Sequence, residues 1–246
     1  MTDKRPNERR IETSVELDAP VDAVWAALTD AQELSNWFPQ FAEVKPGVGG
    51  HIRCVWDEKQ DWTTPIGAWE PNMHLRVVWC DATPPEKAEK AKKDGFYAPF
   101  PIAVDYYLED RAGNKTTLRL VHSGFSSDAA WDSQYDGTRR GWAFELRGLK
   151  HYIEHHRGTK RVVVLAKCKI GDTSPDDAWQ RLMGPQALVA EGDLSGRGVG
   201  DRYAILSAAG DRLEGEIHIT NPPNDFCATA ETSTMRSCGC VSTAAA

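Results

Sequence analysis

Apolar and polar residues alternate strictly in "RRIETSVELDA", with Ile11, Thr13, Val15 and Leu17 on one face and Glu12, Ser14 and Glu16 on the other. That period of two predicts a β-strand. The rhythm then changes. In "PVDAVWAALTD", Val21, Val24, Trp25 and Leu28 recur at i, i+3, i+4 and i+7, the stripe of an amphipathic helix. Pro20 suits a first helical turn, and Asp18 or Asp22 favours the positive end of the helix dipole. A second short helix, "AQELSNWF", ends at Pro39. The chain therefore opens on a strand followed by a two-helix elbow.

Short β-branched or aromatic pieces follow: "GGHIRCVW" at 49–56, "TTPIGAWE" at 63–70 and "HLRVVWCD" at 74–81. The "EPN" at 70–72 reads as a hairpin turn. "PPEKAEKAKKDG" at 84–95 is charged, opens on proline and holds few apolar residues, as an exposed excursion with a short helix would. "IAVDYYLED" and "KTTLRLVHSGF" are two further strands, joined by the turn sequence "RAGN". A succession of neighbouring strands with little helix between them predicts an antiparallel sheet rather than βαβ units. The longest helical pattern lies at 132–158, where Trp142, Leu146, Leu149 and Ile153 form one apolar stripe and Arg140, Arg147, Lys150 and Glu154 lie opposite; Gly158 supplies a stop. Such a helix should lie across the sheet and cover it.

The pattern then restarts. "KRVVVLAKCKI" at 160–170 is strand-like and "SPDDAWQRLMGPQAL" at 174–188 helix-like. Asp22, Trp25 and Leu28 reappear as Asp176, Trp179 and Leu182; Gln32 and Leu34 as Gln186 and Leu188; "GVG" at 47–49 as 198–200; "EPN" at 70–72 as "PPN" at 222–224. A shared order of this kind predicts a partial β-α-β-β-β repeat over 160–246. It has no counterpart of the hairpin and long helix at 102–158, and the tail "STMRSCGCVSTAAA" shows little pattern.

Composition narrows the function classes. With 246 residues, 41% hydrophobic and 26% charged, the chain can bury one large core or two modest ones. A net charge of −7 with no basic face argues against nucleic acid as a partner. "MTDKRPNERR" has no apolar core, so it is no signal peptide, and no apolar run approaches the roughly 20 residues of a membrane span. The expectation is a cytoplasmic protein. Four of the six cysteines are scattered singly, which predicts free thiols rather than a disulfide framework. Cys168, Cys227, Cys238 and Cys240 could supply four sulfurs to a metal, but the C-x-x-C pairs of such sites are missing. No metal and no cofactor is expected.

Taken together, "APVDAVWAALTDAQELSNWF" (19–38), "WEP" (69–71), "HSGF" (122–125) and "GWAFELRGLKHYIEHHRG" (141–158) resemble the homologues of the activator of heat-shock-protein-90 ATPase, within the SRPBCC, or START-like, superfamily. The resemblance covers residues 8–158. It implies an α+β helix-grip fold, a curved antiparallel sheet wrapped around a long C-terminal helix, with a deep apolar cavity between the two. A domain at 8–158 followed by the partial repeat at 160–246 is the expected organisation. Superfamily members bind lipids, sterols, polyketides or antibiotics, and some are cyclases or hydrolases.

Nine tryptophans supply the candidate chemistry. Any one of them packs a core; as pocket walls they offer large apolar area with few rotamers to lose and an N–H that orients a ligand. Trp142 and Leu146 lie on the inner stripe of the long helix, Trp69 and Trp79 on strands, and Trp37 and Phe38 at the end of the elbow, while Trp25 reads as core. Leu118, Leu120 and His122 share a strand face, so an inward His122 could bind a ligand or act as a base. Val104, Tyr106 and Leu108 likewise place Tyr106 inward and Asp105 and Tyr107 outward. The adjacent His155 and His156 point about 100° apart on a helix and read as a solvated helix end with no shared metal. There is no G-x-S-x-G elbow, and "SGRGVG" at 195–200 is no phosphate loop. The expected function is a binding protein enclosing a small hydrophobic or aromatic molecule, with no catalytic residue assigned. The alternatives are an enzyme of cyclase, dehydratase or hydrolase type using His122, and a chaperone-related interaction module. A second copy of this chain is a further candidate partner.

Overall fold

The structure, a computed structural model, describes residues 7–93, 97–164, 171–184, 189–231 and 236–242, the last of these by backbone only. The chain divides into two compact units, Met1–Val163 and Val164–Ala246.

The first unit is α+β. Its strands are β1 (Glu8–Leu17), β2 (Phe41–Lys45), β3 (His51–Asp57), β4 (Gln60–Glu70), β5 (His74–Cys80), β6 (Ile102–Arg111) and β7 (Lys115–Ser126). They form one seven-stranded sheet in the order β1-β7-β6-β5-β4-β3-β2, antiparallel throughout. The strand β2, "FAEVK", carries too few alternating residues to stand out in the sequence.

Between β1 and β2 lie α1 (Val21–Thr29) and α2 (Ala31–Ser35). Asp30 separates them: its extended backbone ends α1, and its carboxylate accepts from the amides of Gln32 and Glu33 at 2.9 Å, capping α2. The charged excursion holds a 3-10 turn (Pro85–Lys87) and α3 (Ala88–Lys93), which buries none of its residues.

The long helix α4 (Asp132–His151) buries Trp142, Leu146 and Leu149 and runs into a π-helical turn, Tyr152–His156, that buries Tyr152 and Ile153. The Tyr152 hydroxyl ties that turn to the elbow: it donates to Glu33 at 2.6 Å and accepts from Asn36 Nδ2 at 3.2 Å and the Gly158 amide at 3.1 Å. A single core joins the elbow, the sheet and α4, centred on Leu17, Val24, Leu75, Leu118, Leu120 and Leu149.

The second unit holds α5 (Pro175–Met183), β8 (Val189–Glu191), β9 (Arg202–Ser207), β10 (Arg212–Asn221), β11 (Asp225–Glu231) and β12 (Arg236–Ser242). The strands form a five-stranded antiparallel sheet in the order β12-β11-β10-β9-β8. Ser174 caps α5 by accepting from the Asp177 amide at 3.1 Å. Trp179, Met183, Tyr203, Ile205, Ile217 and Phe226 make this unit's own core. Two expectations change here. The patternless tail contains β12, which pairs with β11 over its whole length. Cys227 is not a free thiol but disulfide-bonded, and the backbone register sets it opposite Cys240. The strand expected at 160–170 falls largely outside the described residues, as does Cys168.

Candidate functional site

The inner face of the sheet and the underside of the elbow meet at a pocket. Leu28 of α1, Leu34 of α2, and Trp37 and Phe38 after it form one side. Ile52, Cys54 and Trp56 of β3, Trp62 and Thr64 of β4, Leu75, Val77 and Trp79 of β5 and Tyr106 of β6 form the other. Strand alternation explains the set: Ile52, Cys54 and Trp56 are every second residue of β3, as Leu75, Val77 and Trp79 are of β5. Register adds Trp62, which pairs with Cys54 and so shares its face.

The lining rings touch in sequence. Trp37 stacks on Phe38 with centroids 5.1 Å apart; Phe38 meets Trp56 edge-on at 4.9 Å; Trp56 meets Trp62, and Trp62 meets Trp79, each at 5.3 Å. Trp37 is fixed by its indole N–H, which donates to the Ala27 carbonyl at 2.7 Å. These rings nearly fill the space they surround. The free volume is about 30 Å³, room for about two waters. Trp62 is 44% exposed, while every other lining residue is buried or partly buried, so the pocket opens past this ring.

Of the residues the sequence proposes, Trp37, Phe38, Trp79 and Tyr106 line the pocket. Trp142 and Leu146 are buried behind it. Trp142 packs against three of its rings, Phe38 at 5.9 Å, Tyr106 at 6.1 Å and Trp79 at 6.4 Å. Trp69 packs edge-on against Trp25 at 5.2 Å, away from the lining. His122 sits one ring deeper, 5.3 Å from Trp79 and 4.8 Å from Phe125. Its Nδ1 accepts from the Trp142 indole N–H at 2.9 Å; its Nε2 is buried with no hydrogen-bond partner among the described residues. The sequence did not mark Leu28, Leu34, Ile52, Cys54, Trp56, Trp62, Thr64, Leu75 or Val77 as pocket residues, although Leu28 and Leu34 stood out in the first helices. Alternation places several of these inward, but which inward residues border a gap is set by strand register.

Burial shifts the ionisable groups around this site toward their neutral forms. Desolvation holds the His122 imidazole down to about 3, and pushes the Cys54 thiol up to about 12 and the Tyr106 phenol far above its usual range. It also raises the Glu145 carboxyl, on α4, to about 8, against the opposing pull of the Arg161 charge. Arg161 spends its terminal nitrogens on the carbonyls of Trp37 at 2.6 Å and of Phe38 and Pro39 at 2.9 Å, clamping the segment that forms one pocket wall.

Two polar clusters lie elsewhere. On the outer face of the sheet, Asp105 is only 5% exposed because His74 Nε2, at 2.8 Å, and Arg76 both hold its carboxylate. Tyr107, also outward, stacks on His74 at 4.4 Å beneath the Arg119 guanidinium at 4.3 Å. At the end of α4, His151, His155 and His156 gather with ring centroids 4.8 to 6.4 Å apart, because the π-helical turn brings positions five apart onto one side. His151 is buried, so this end of the helix is less solvated than the sequence suggests; the His151-x-x-x-His155 spacing is the signal for it. Among the described residues no three His, Cys, Asp or Glu side chains are disposed to hold a metal ion, and no helix is long and apolar enough to cross a membrane.

A large antiparallel sheet, a long helix and a two-helix elbow closing over aromatic side chains define an α+β protein of START-like architecture. The model of the family described as "Activator of Hsp90 ATPase homolog 1-like protein" matches residues 18–154, and the chain belongs to that family. Among solved structures, protein MLL2253 from Mesorhizobium loti is 23% identical, with 60% of this chain and 98% of that one covered at a TM-score of 0.49. The Aha1 dimer from Colwellia psychrerythraea is 18% identical, covering 61% and 99% at 0.47. DynU16, a protein of the dynemicin biosynthetic locus, is 18% identical, covering 93% and 78% at 0.47. No curated protein matches the chain.

Proposed function

We propose that the first unit is a binding module for a small hydrophobic or aromatic molecule, received between the elbow and the sheet. One observation carries this reading: a Trp and Phe-lined gap on the inner face whose outermost ring, Trp62, is left 44% exposed. An indole costs stability when left in water, so a surface Trp continuous with a buried aromatic lining marks a surface that another apolar group covers. With about 30 Å³ free, against the several hundred that a drug-sized ligand occupies, entry requires Trp62 and its neighbours to swing aside. The ligand would then stack among the rings.

The enzyme alternative loses its candidate residue. A His122 held neutral down to about 3, with Nδ1 already accepting a hydrogen bond, is poorly matched to proton transfer near neutral pH. The chaperone-related alternative draws on the family description alone.

The experiment is titration of the protein with Nile red, an uncharged hydrophobic dye, followed by dye emission and quenching of tryptophan fluorescence. Saturable binding that Thr64→Trp abolishes, by filling the mouth from β4, supports the reading. Unsaturable binding, or binding indifferent to Thr64→Trp, overturns it.

We also propose that the second unit is a partial copy of the first. Supporting this, its backbone hydrogen bonds recur at one constant offset. Gly49 N donates to Ile66 O as Gly200 N does to Ile217 O; Ile66 N to Gly50 O as Ile217 N to Asp201 O; and Met73 N to Glu70 O as Asn224 N to Asn221 O. The register shift between Ile66 and Ala68 in β4 has its counterpart between Ile217 and Ile219 in β10.

A further inference from the structure

The polar atoms of the pocket wall say what kind of molecule it would accept. Tyr106 is only 5% exposed and lines the pocket; no described residue hydrogen-bonds its hydroxyl, and that oxygen is not one of the fully enclosed unpaired atoms, so it keeps access to the space beside it. A buried phenol normally finds a partner. Trp56, Trp62 and Trp79 also bring indole N–H donors with no partner among the described residues, but these rings are half-buried or exposed, whereas Tyr106 is buried; the remaining polar side chains of the lining differ from it. Thr64 already donates, to the Ile52 carbonyl at 3.0 Å, and the Cys54 thiol is a weak donor. The indole of Trp37 donates to the Ala27 carbonyl, and that of Trp142, behind the wall, to His122. The Tyr106 hydroxyl is thus a strong donor left over inside an aromatic slot.

No Lys or Arg lines the pocket. The guanidinium associated with its wall, Arg161, has its terminal nitrogens on the carbonyls of Trp37, Phe38 and Pro39. An anionic ligand would therefore be desolvated with no counter-ion, at a cost that neither stacking nor one hydrogen bond offsets. The same apolar surroundings hold Cys54, Tyr106, His122 and Glu145 toward their neutral forms.

Resting on the binding reading above, we propose that this pocket selects an uncharged, flat aromatic molecule bearing a hydrogen-bond acceptor, such as an aromatic ketone, and that the Tyr106 hydroxyl donates to that acceptor. The rings supply affinity through stacking and the hydroxyl supplies orientation. A carboxylate on the same ring system is rejected because its charge finds no partner.

Three probes of nearly the same shape test this by calorimetric titration of the full chain at pH 7: naphthalene, 2-acetylnaphthalene and 2-naphthoate. The ketone should bind roughly three- to tenfold more tightly than naphthalene, the gain of one net hydrogen bond, and 2-naphthoate should bind at least about tenfold more weakly than the ketone. Tyr106→Phe should erase the advantage of the ketone over naphthalene. The comparison within the unaltered protein stands even if that variant folds poorly. If naphthalene binds but the ketone gains nothing, or if 2-naphthoate matches the ketone, the selectivity proposed here is wrong while the pocket reading survives. If none of the three binds, the pocket reading falls and takes this inference with it.

Discussion

Trp142 on α4 donates its indole N–H to Nδ1 of His122 on β7 across 2.9 Å, both side chains being almost fully buried. That bond fixes the imidazole tautomer with its proton on Nε2 and ties the long helix to β7, the strand next to the edge strand β1. Trp142→Phe keeps an aromatic ring but removes the donor, leaving a buried acceptor unpaired. The expected loss is about 1–3 kcal/mol of unfolding free energy, read from urea denaturation by circular dichroism. A variant as stable as the parent would mean that the bond contributes nothing net.

Two buried groups give the first unit opposed pH dependences. His122 falls from 6.5 unfolded to about 3 folded, so the unfolded chain binds the extra proton and stability, complete above 6.5, is lost as pH falls toward 3. Glu145 rises from 4.5 unfolded to about 8 folded, so the folded chain holds the proton and stability, complete below 4.5, is lost as pH rises through 8. Between 4.5 and 6.5 the two slopes cancel. The expected profile is a plateau there with a fall on either side, each at most about 1.4 kcal/mol per pH unit. Denaturation midpoints from pH 4 to 8.5 measure it, and Glu145→Gln should flatten the alkaline limb.

Gly124 interrupts β7 with φ +100°, and a Cβ placed there would stand 2.3 Å from the Pro101 carbonyl oxygen and 2.8 Å from Ile102 Cα. Both obstacles are backbone, which cannot step aside cheaply. Gly124→Ala should cost on the order of 3 kcal/mol through left-handed strain and this contact, visible as a drop of several degrees or more in melting temperature. An unchanged melt would mean that the β6–β7 ladder shifts freely at this point.

The Arg161 clamp lies beyond the glycine that stops the long helix, so the first unit needs the residues after Gly158. A fragment ending at Val163 should melt cooperatively. One ending at Gly158 should be less stable by roughly 2–4 kcal/mol, the scale of losing hydrogen bonds from a charged donor to three carbonyls, and Arg161→Ala in the longer fragment should behave similarly. Equal stability of the two fragments would remove Arg161 from any role in holding Trp37 and Phe38.

Where a local period exists, the chain by itself determined the outcome. The alternation of β1, the stripe of α1 and the Trp142, Leu146, Leu149, Ile153 stripe of α4 each lie within one element, and each folds as its period demands because burial of one face selects the conformation that makes that face. The inward direction of Tyr106 and His122 was legible for the same reason. β2 was not: its alternation, Ala42 and Val44 inward against Glu43 and Lys45, spans only five residues and opens on Phe41, an apolar residue half exposed on the outer side. The i, i+4 spacing of His151 and His155 was readable, but the approach of His156 to His151 depends on the π-helical turn, and cysteines scattered singly along the chain did not show that Cys227 forms a disulfide. The pocket belongs wholly to the tertiary structure. Trp56, Trp62 and Trp79 come from three strands, and only their register decides that these rings border a narrow gap while Trp69 packs against Trp25 and Trp142 backs the wall. The shifted states of Glu145 and His122 were equally invisible, because desolvation is set by what the rest of the fold places around a side chain and not by its neighbours in the chain.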